Sequence, residues 1–437
     1  MKLTKYIRKL LRKNENASSA KAERVFVRGC AIPHRSSAGL RRLVSPCSRC
    51  SKKTLPFILS VFVIWQVLIG GLIVLGEQYF PTTMEYLYTE KQVVSPRWLW
   101  SRANFDGIHY LDIARKGYGI YQQAFFPLYP KLIKALTPFF YGRDLVAGLF
   151  VSTVSLFFAL LIFYKLIRLD YQKSIAKRAV VYLLIFPTAF YFAAVYTESL
   201  FLMLVLASFY FARTKHWWLA GIFGLLATST RLPGVFLFPA LLVEWWQQGA
   251  TSHQPPATRK KPTTTHRSPI TLIPLLFIPL GLIGYMSYLA TKFQDPLLFL
   301  HVQPYFGAGR TATKLVLLYQ VFWRYLKMLV TCEKLTPTYF VVILEFFSGT
   351  AFLVLSLFAW LRRWYPYVTF MALAYITPTL TGTFSSLPRY ALVLFPGFIL
   401  LAIWAEKYRW VRILYPLIAI PLLIISLLFF TRGYWLA

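Results

Sequence analysis

The sequence is short of charge. Of its 437 residues, 14% are Asp, Glu, Lys or Arg, against 57% hydrophobic and 18% aromatic, and the mean hydropathy is +0.54. A soluble domain carries roughly 25% charged residues, so a water-soluble globular class is excluded. Acid is scarcer still: 15 Asp and Glu face 48 Lys and Arg, for a net charge of +33. With no soluble domain to present a basic face, this excess reads as membrane topology and attraction to anionic lipid, and not as nucleic-acid binding. There are four cysteines: Cys332 is alone and the other three share the N-terminal tail, where they read as reduced thiols. Cys30, His34, Cys47 and Cys50 give C-x3-H-x12-C-x2-C, which loosely resembles a zinc spacing, but little core surrounds it. No run of ~10-residue alternating segments marks a transmembrane barrel. There is no glycine-rich phosphate loop, no H-E-x-x-H and no G-x-S-x-G.

Long apolar runs are what the chain does have. They cover 55–75, 145–167, 179–195, 199–212, 217–230, 233–246, 269–290, 339–361, 365–382, 390–406 and 413–430. A membrane span needs ~20 apolar residues, and several runs here are shorter, so some are expected to be broken or re-entrant. The expected fold is an all-α polytopic membrane protein of about 11 transmembrane helices, with a range of 9 to 12. Residues 1–54 form a basic tail in which fifteen Lys and Arg outweigh Glu15 and Glu23 to leave +13. That tail is read as cytoplasmic and without fixed structure, and 55–437 as the membrane domain. The domain holds a long first outer loop, 76–144, and a cytoplasmic linker, 247–268. Segment 314–330 carries Arg324 and Lys327 and reads as an interfacial helix. If it does not span, Arg362, Arg363 and the basic stretch 407–412 stay inside, as the positive-inside rule asks.

With the N-terminus inside, the unusual polar residues fall on the outer face. Asp106, His109, Asp112, Arg115 and Lys116 crowd the stretch 102–130. Charge this dense beside a membrane marks a substrate site or an ordinary interfacial helix. If 105–114 is helical, Asp106, His109 and Tyr110 share one face, with Asp112 about 120° away. A carboxylate beside a histidine suits a general base in a cleft at the membrane surface. Glu198 lies between two short spans, either as a helix-capping residue or as a holder of substrate hydroxyls. Arg231, Arg310 and Arg389 are candidate phosphate binders, since guanidinium geometry matches phosphate oxygens; Arg389 could equally anchor the interface. His301 and Gln303 are further candidates. The only inside segments of any length are the tail and the linker, so a donor already in the membrane fits better than ATP or a nucleotide sugar.

The motifs FDGIHYLDIARKGY, AFFPLYP, YTESLF, TRLPG, DPLLFLHVQ and LPRYALVLFP run in order over roughly residues 97–400. In this order the chain resembles the GT-C superfamily of polytopic glycosyltransferases. More narrowly, it is similar to the family of the GPI-anchor second mannosyltransferase (PIG-V type) and its bacterial relatives. One departure is Phe105, where the family commonly has Trp before the acidic residue. The resemblance implies a polyprenyl- or dolichyl-phosphate sugar donor, mannose first, and a glycolipid or glycan acceptor. It implies inverting single displacement on the outer or luminal face, with Asp106 at the catalytic position. The expected location is a multi-pass place in a bacterial plasma membrane, or in the ER membrane of a eukaryote. The chemistry requires no cofactor, and the outer residues form no convincing metal-ligand set. Rival expectations are a transporter or flippase for a lipid-linked sugar, or a GT-C enzyme with another donor sugar or a protein acceptor.

Overall fold

The computed structural model describes residues 54–83, 96–250, 269–307, 310 and 315–436. Cys30, His34, Cys47, Cys50, Lys314 and most of the 247–268 linker lie outside these residues. Every regular element among them is helical, with no strand. The longer helices are α1 (Thr54–Tyr79), α2 (Asp106–Lys116), α3 (Leu128–Leu136), α4 (Asp144–Ile167), α5 (Lys173–Leu184), α6 (Glu198–Arg213), α7 (Trp217–Thr228), α8 (Leu237–Ala250) and α9 (Phe277–Phe293). They continue with α10 (Leu318–Thr331), α11 (Pro337–Leu361), α12 (Tyr365–Thr379), α13 (Pro396–Lys407) and α14 (Arg409–Thr431).

Five segments are long and apolar enough to cross a membrane: α1, α4, Thr271–Phe293 (which contains α9), α11 and α14. In hydrocarbon the backbone must satisfy its own hydrogen bonds, so apolar runs of this length close into helices. The expected crossing 390–406 is a bent pair, Leu387–Val393 and α13, at 77° to each other, which brings the number to six if it counts as one. The remaining expected crossings, 179–195, 199–212, 217–230, 233–246 and 365–382, do not form single helices of span length. At 179–195, 233–246 and 390–406, proline and the residue before it are the local reason. Pro187 follows the end of α5 and is succeeded by a 3-10 turn, Ala189–Ala193. Pro233 sits in another, Leu232–Phe236, and Pro388 and Pro396 flank the 77° bend. Segment 314–330 becomes α10, whose 14 residues rise roughly 21 Å, short of the ~30 Å hydrocarbon core.

At the centre α6 packs against α4 and α7, α7 against α9, α8 against α12, and α13 against α5. The two ends of α6 meet different charges. Glu198 at its start is 1% exposed, and Arg213 at its end holds Asp170 at 2.6 Å and Glu244 at 3.3 Å. Sixteen residues separate these ends by roughly 24 Å.

The segment from Asn104 to the start of α4 is tied down at both ends. Arg115, in the last turn of α2, pairs with Asp144 at the start of α4. Asn104 Nδ2 donates to the Phe430 carbonyl at 2.7 Å, anchoring the entry to α2 on the end of α14. The turn after Arg231 depends on close backbone approach: a Cβ on Gly234 would lie 2.5 Å from Thr228 N and 2.6 Å from Ala227 C, and backbone cannot yield as a side chain does. Gly234→Ala is therefore expected to cost about 1–3 kcal/mol of stability, seen as a lower melting temperature of the detergent-purified protein. An unchanged melting temperature would contradict this packing.

Candidate active site

Asp106 is the first residue of α2, and the backbone just before it is strained. Phe105 has φ 57° and ψ −118°, a region a bulky side chain avoids. The surroundings hold it there. The Phe105 ring sits against Phe430 and edge-on to Trp435 at 5.3 Å. Tyr196 Oη donates to the Asn104 carbonyl at 2.8 Å. Val195 N donates to the Arg102 carbonyl at 2.9 Å. Gly107 lets α2 lie against this segment, because a Cβ there would come within 3.3 Å of the Val195 carbonyl oxygen. Together these contacts present the Asp106 carboxylate from a helix N-terminus, where the helix dipole favours negative charge.

Arg389 meets it. One guanidinium nitrogen donates to Asp106 Oδ2 at 2.5 Å, with the two side chains 8% and 15% exposed. Three aromatic rings, Tyr191, Tyr196 and Tyr390, surround Arg389 at 5.4–5.5 Å from its central carbon, a cation–π setting that holds a buried positive charge. Glu198, at the N-terminus of α6, takes a hydrogen bond from Arg231 at 2.6 Å and lies 3.4 Å from Arg389 Nε. That last contact is an ion pair without hydrogen-bond alignment, and both Arg389 Nε and Glu198 Oε2 are buried with no hydrogen-bond partner. Arg231 has extended backbone and reaches across the Tyr390 ring at 4.8 Å. Two carboxylates and two guanidiniums from four separate segments thus form one continuous cluster.

Burial alone would favour the neutral acid at Asp106. The Arg389 guanidinium outweighs it, with Arg310 adding to the effect, and holds the carboxyl below the usual carboxylate range. Burial likewise pushes the neighbouring Tyr110 phenol well up, so it stays protonated.

The cluster opens onto a cavity of about 210 Å³. Asp106, Tyr110, Arg231, Gln303, Arg310, Ser385, Ser386, Arg389 and Tyr390 contribute to its wall, and Phe125, Phe126, Phe306 and Trp435 supply apolar surface. Asp106 and Tyr110 reach the cavity from one face of α2, and Gln303 and Arg310 from the segment after α9. Four of the candidate site residues are not on this wall, and one of them, Glu198, reaches the cluster only through Arg231 and Arg389. His109 stacks on Phe125 at 5.2 Å, and its Nδ1 lies 3.3 Å from Gln122 Nε2. Asp112 lies on α2 beyond the lining. His301 is largely exposed and pairs with Asp295 at 2.6 Å, a contact that lowers the Asp295 carboxyl. Among the described residues no group of three or more His, Cys, Asp or Glu is placed to hold a metal ion.

Other wall residues were not legible as site residues. Tyr390 adjoins Arg389 in the same motif, which was the available signal. Ser385 and Ser386 carried none beyond proximity to it. Trp435 lies near the C-terminal end of the chain and reaches the site only through the fold.

Among curated proteins, none matches the sequence. Among solved structures, the Archaeoglobus fulgidus oligosaccharyltransferase in its apo form aligns at 16% identity and TM-score 0.41, covering 87% of this chain and 56% of that one. The archaeal oligosaccharyltransferase AglB of the same organism, in complex with an inhibitory peptide and a dolichol-phosphate, aligns at 15% identity and TM-score 0.39, covering 89% and 56%. The chain thus spans little more than half the length of these structures. Residues 89–238, the stretch that holds Asp106, Glu198 and Arg231, match the family model described as mannosyltransferase (PIG-V), and it is this family that the chain resembles.

Proposed function

We propose that the protein is a membrane glycosyltransferase that moves a hexose, mannose first, from a polyprenyl-phosphate sugar to a glycolipid or glycan acceptor. The observation that carries this reading is the buried Asp106–Arg389 pair on the wall of a cavity that also holds Arg231 and Arg310. It combines a carboxylate able to take a proton with cations able to take a phosphate. The family match supports mannose as the sugar. The concentration of Lys and Arg at the Arg213 end of α6 supports placing the cavity at the outer face of the membrane. On this reading the shorter helices cross in broken pairs to complete about eleven passages.

The reaction is a single displacement. The acceptor oxygen bonds to the anomeric carbon as the bond from that carbon to the phosphate oxygen breaks, with inversion. The acceptor proton passes to Asp106, and the electron pair of the broken bond leaves with the lipid phosphate. The transition state is oxocarbenium-like, and charge grows on the departing phosphate, where fixed cations lower the barrier. On this reading Arg389 and Arg231 take that role, with Arg310 on the same wall. Gln303, Tyr110 and Ser385 offer hydrogen bonds to sugar hydroxyls. The reaction asks for no resident cofactor.

The ion pair also imposes an order. While Arg389 holds Asp106, the carboxylate is a weak base. A phosphate entering the cavity competes for Arg389 and leaves Asp106 more basic, so donor binding prepares the proton acceptor. Glu198 keeps Arg231 in place through the exchange.

Asp106→Asn removes the base and keeps the shape. Transfer per folded protein should fall by about 10²–10⁴-fold, measured as labelled mannose passing from polyprenyl-phosphate mannose into membrane glycans, while the unpaired Arg389 lowers the melting temperature. Near-normal transfer would refute the role of Asp106. Binding of the donor with no release of free polyprenyl phosphate on adding acceptor membranes would favour the transporter reading instead.

Arg389→Gln tests the pairing through pH. In the wild type Asp106 remains ionised well into the acid range, so kcat/KM should hold from neutral pH down to about pH 5. Without the guanidinium, burial is left to raise the carboxyl. Less of it is ionised at a given pH, and the acid limb of the residual rate should move toward neutrality. An acid limb that does not move would show that Arg389 does not govern Asp106.

A further inference from the structure

Glu345 lies within α11, a membrane-length helix, yet it is a carboxylate only 4% exposed. Ionisable groups at such positions are costly and need partners. Both of its oxygens have one. Oε2 accepts from Tyr325 Oη at 2.5 Å, and Oε1 accepts from the backbone N–H of Ser386 at 3.3 Å. Tyr325, on α10, is 2% exposed and uses its hydroxyl further. It accepts from Phe384 N at 3.2 Å and shares a hydrogen bond with Thr383 Oγ1 at 3.0 Å. Arg324, the preceding residue on α10, donates to the Gly382 carbonyl at 3.1 Å.

All of these bonds converge on the seven residues before Arg389. That stretch needs holding. Gly382 and Ser386 both have positive φ, at 97° and 65°, and Ser386 directly precedes the turn Leu387–Tyr390 that carries Arg389. Ser386 Oγ also accepts from Arg310 at 3.1 Å, so the same stretch positions a second cation of the cavity. Ser385 lines the cavity, and its Oγ is buried without a hydrogen-bond partner.

We propose that Tyr325 and Glu345 form a buried clamp that positions Arg389 and Arg310 for the phosphate of the donor. They are positioning residues and do not touch substrate. The clamp makes the amphipathic helix α10 part of the site's support. The proposal rests on the reading of the cavity as a lipid-phosphate site, and it adds which residues outside the cavity set the affinity for that phosphate.

The test is equilibrium binding of farnesyl phosphate to the full-length protein in detergent, with melting temperature measured alongside. Tyr325→Phe deletes one hydroxyl, and Glu345→Ala deletes the carboxylate. Tyr339→Phe is the control, because Tyr339 Oη donates to the Leu329 carbonyl between the same two helices without touching the 382–386 stretch. The expected result is about tenfold weaker binding for Tyr325→Phe, the effect of one buried hydrogen bond, and a loss at least as large for Glu345→Ala. Tyr339→Phe should bind as the wild type does. If Glu345→Ala does not fold, Tyr325→Phe decides alone. Wild-type affinity in Tyr325→Phe would overturn the clamp. So would equal weakening in Tyr339→Phe, which would make the effect one of helix packing only. Absence of binding by the wild type would overturn the phosphate reading itself, and the clamp with it.

Discussion

Four buried charges organise this protein's candidate site. Asp106, Arg389, Glu198 and Arg231 belong to segments far apart in the chain, and each charge would be expensive alone in a low-dielectric interior. Together they balance, two negative against two positive. The carboxylates add a second source of support, because Asp106 and Glu198 each begin a helix and lie at its positive end. Such a cluster contributes little net stability, since its attraction is offset by the desolvation of all four groups. Its effect is on arrangement. Removing one member leaves its partner buried and unpaired, so α2, α6, the turn after α7 and the turn before α13 are constrained to meet at one place.

That constraint gives a reason for the broken helices. A continuous span carries its polar backbone hidden from end to end and can offer a substrate little except side chains. Here the chain ends helices inside the protein body. It turns through 3-10 segments at Ala189–Ala193 and Leu232–Phe236, and bends by 77° between Leu387–Val393 and α13. Irregular backbone is tolerated at membrane depth where it lines a cavity or is buried in protein. The turns at Leu232 and at Leu387 both contribute to the cavity wall. The strained backbone at Phe105 and the left-handed Ser386 fit the same pattern. Both immediately precede the elements that carry the central ion pair, and both are held by a dense set of contacts.

Much of the site could be read in advance because its charges stand out in an apolar sequence. Asp106, Glu198, Arg231 and Arg389 are conspicuous in a chain that is 14% charged, and all four come together. His109 and His301 were equally conspicuous and do not reach the cavity wall. Helical periodicity places a side chain on a face but does not say what covers that face, and Phe125 covers His109. Glu345, a lone carboxylate in a long apolar run, carries the signal of a costly charge but no hint of its partners, and Tyr325, one of 28 tyrosines, carries none until the stretch 382–386 is seen bonded to both. The count of crossings rested on run length and on the positive-inside rule, and runs of 14–18 residues do not declare whether they cross, break or turn back.

From composition and apolar run length, the sequence alone determined an all-helical membrane protein. From a few isolated charges and an ordered set of motifs, it also determined which segments carry polar chemistry. These properties are local: hydropathy decides the solvent, and the cost of a charge in an apolar setting marks the residues retained for a purpose. Tertiary structure alone decided the rest. It paired Asp106 with Arg389 and Glu198 with Arg231, broke the helices near the cavity, and tied the 382–386 stretch to Tyr325 and Glu345. Those outcomes depend on contacts between segments up to 283 residues apart, and no window along the chain contains both partners.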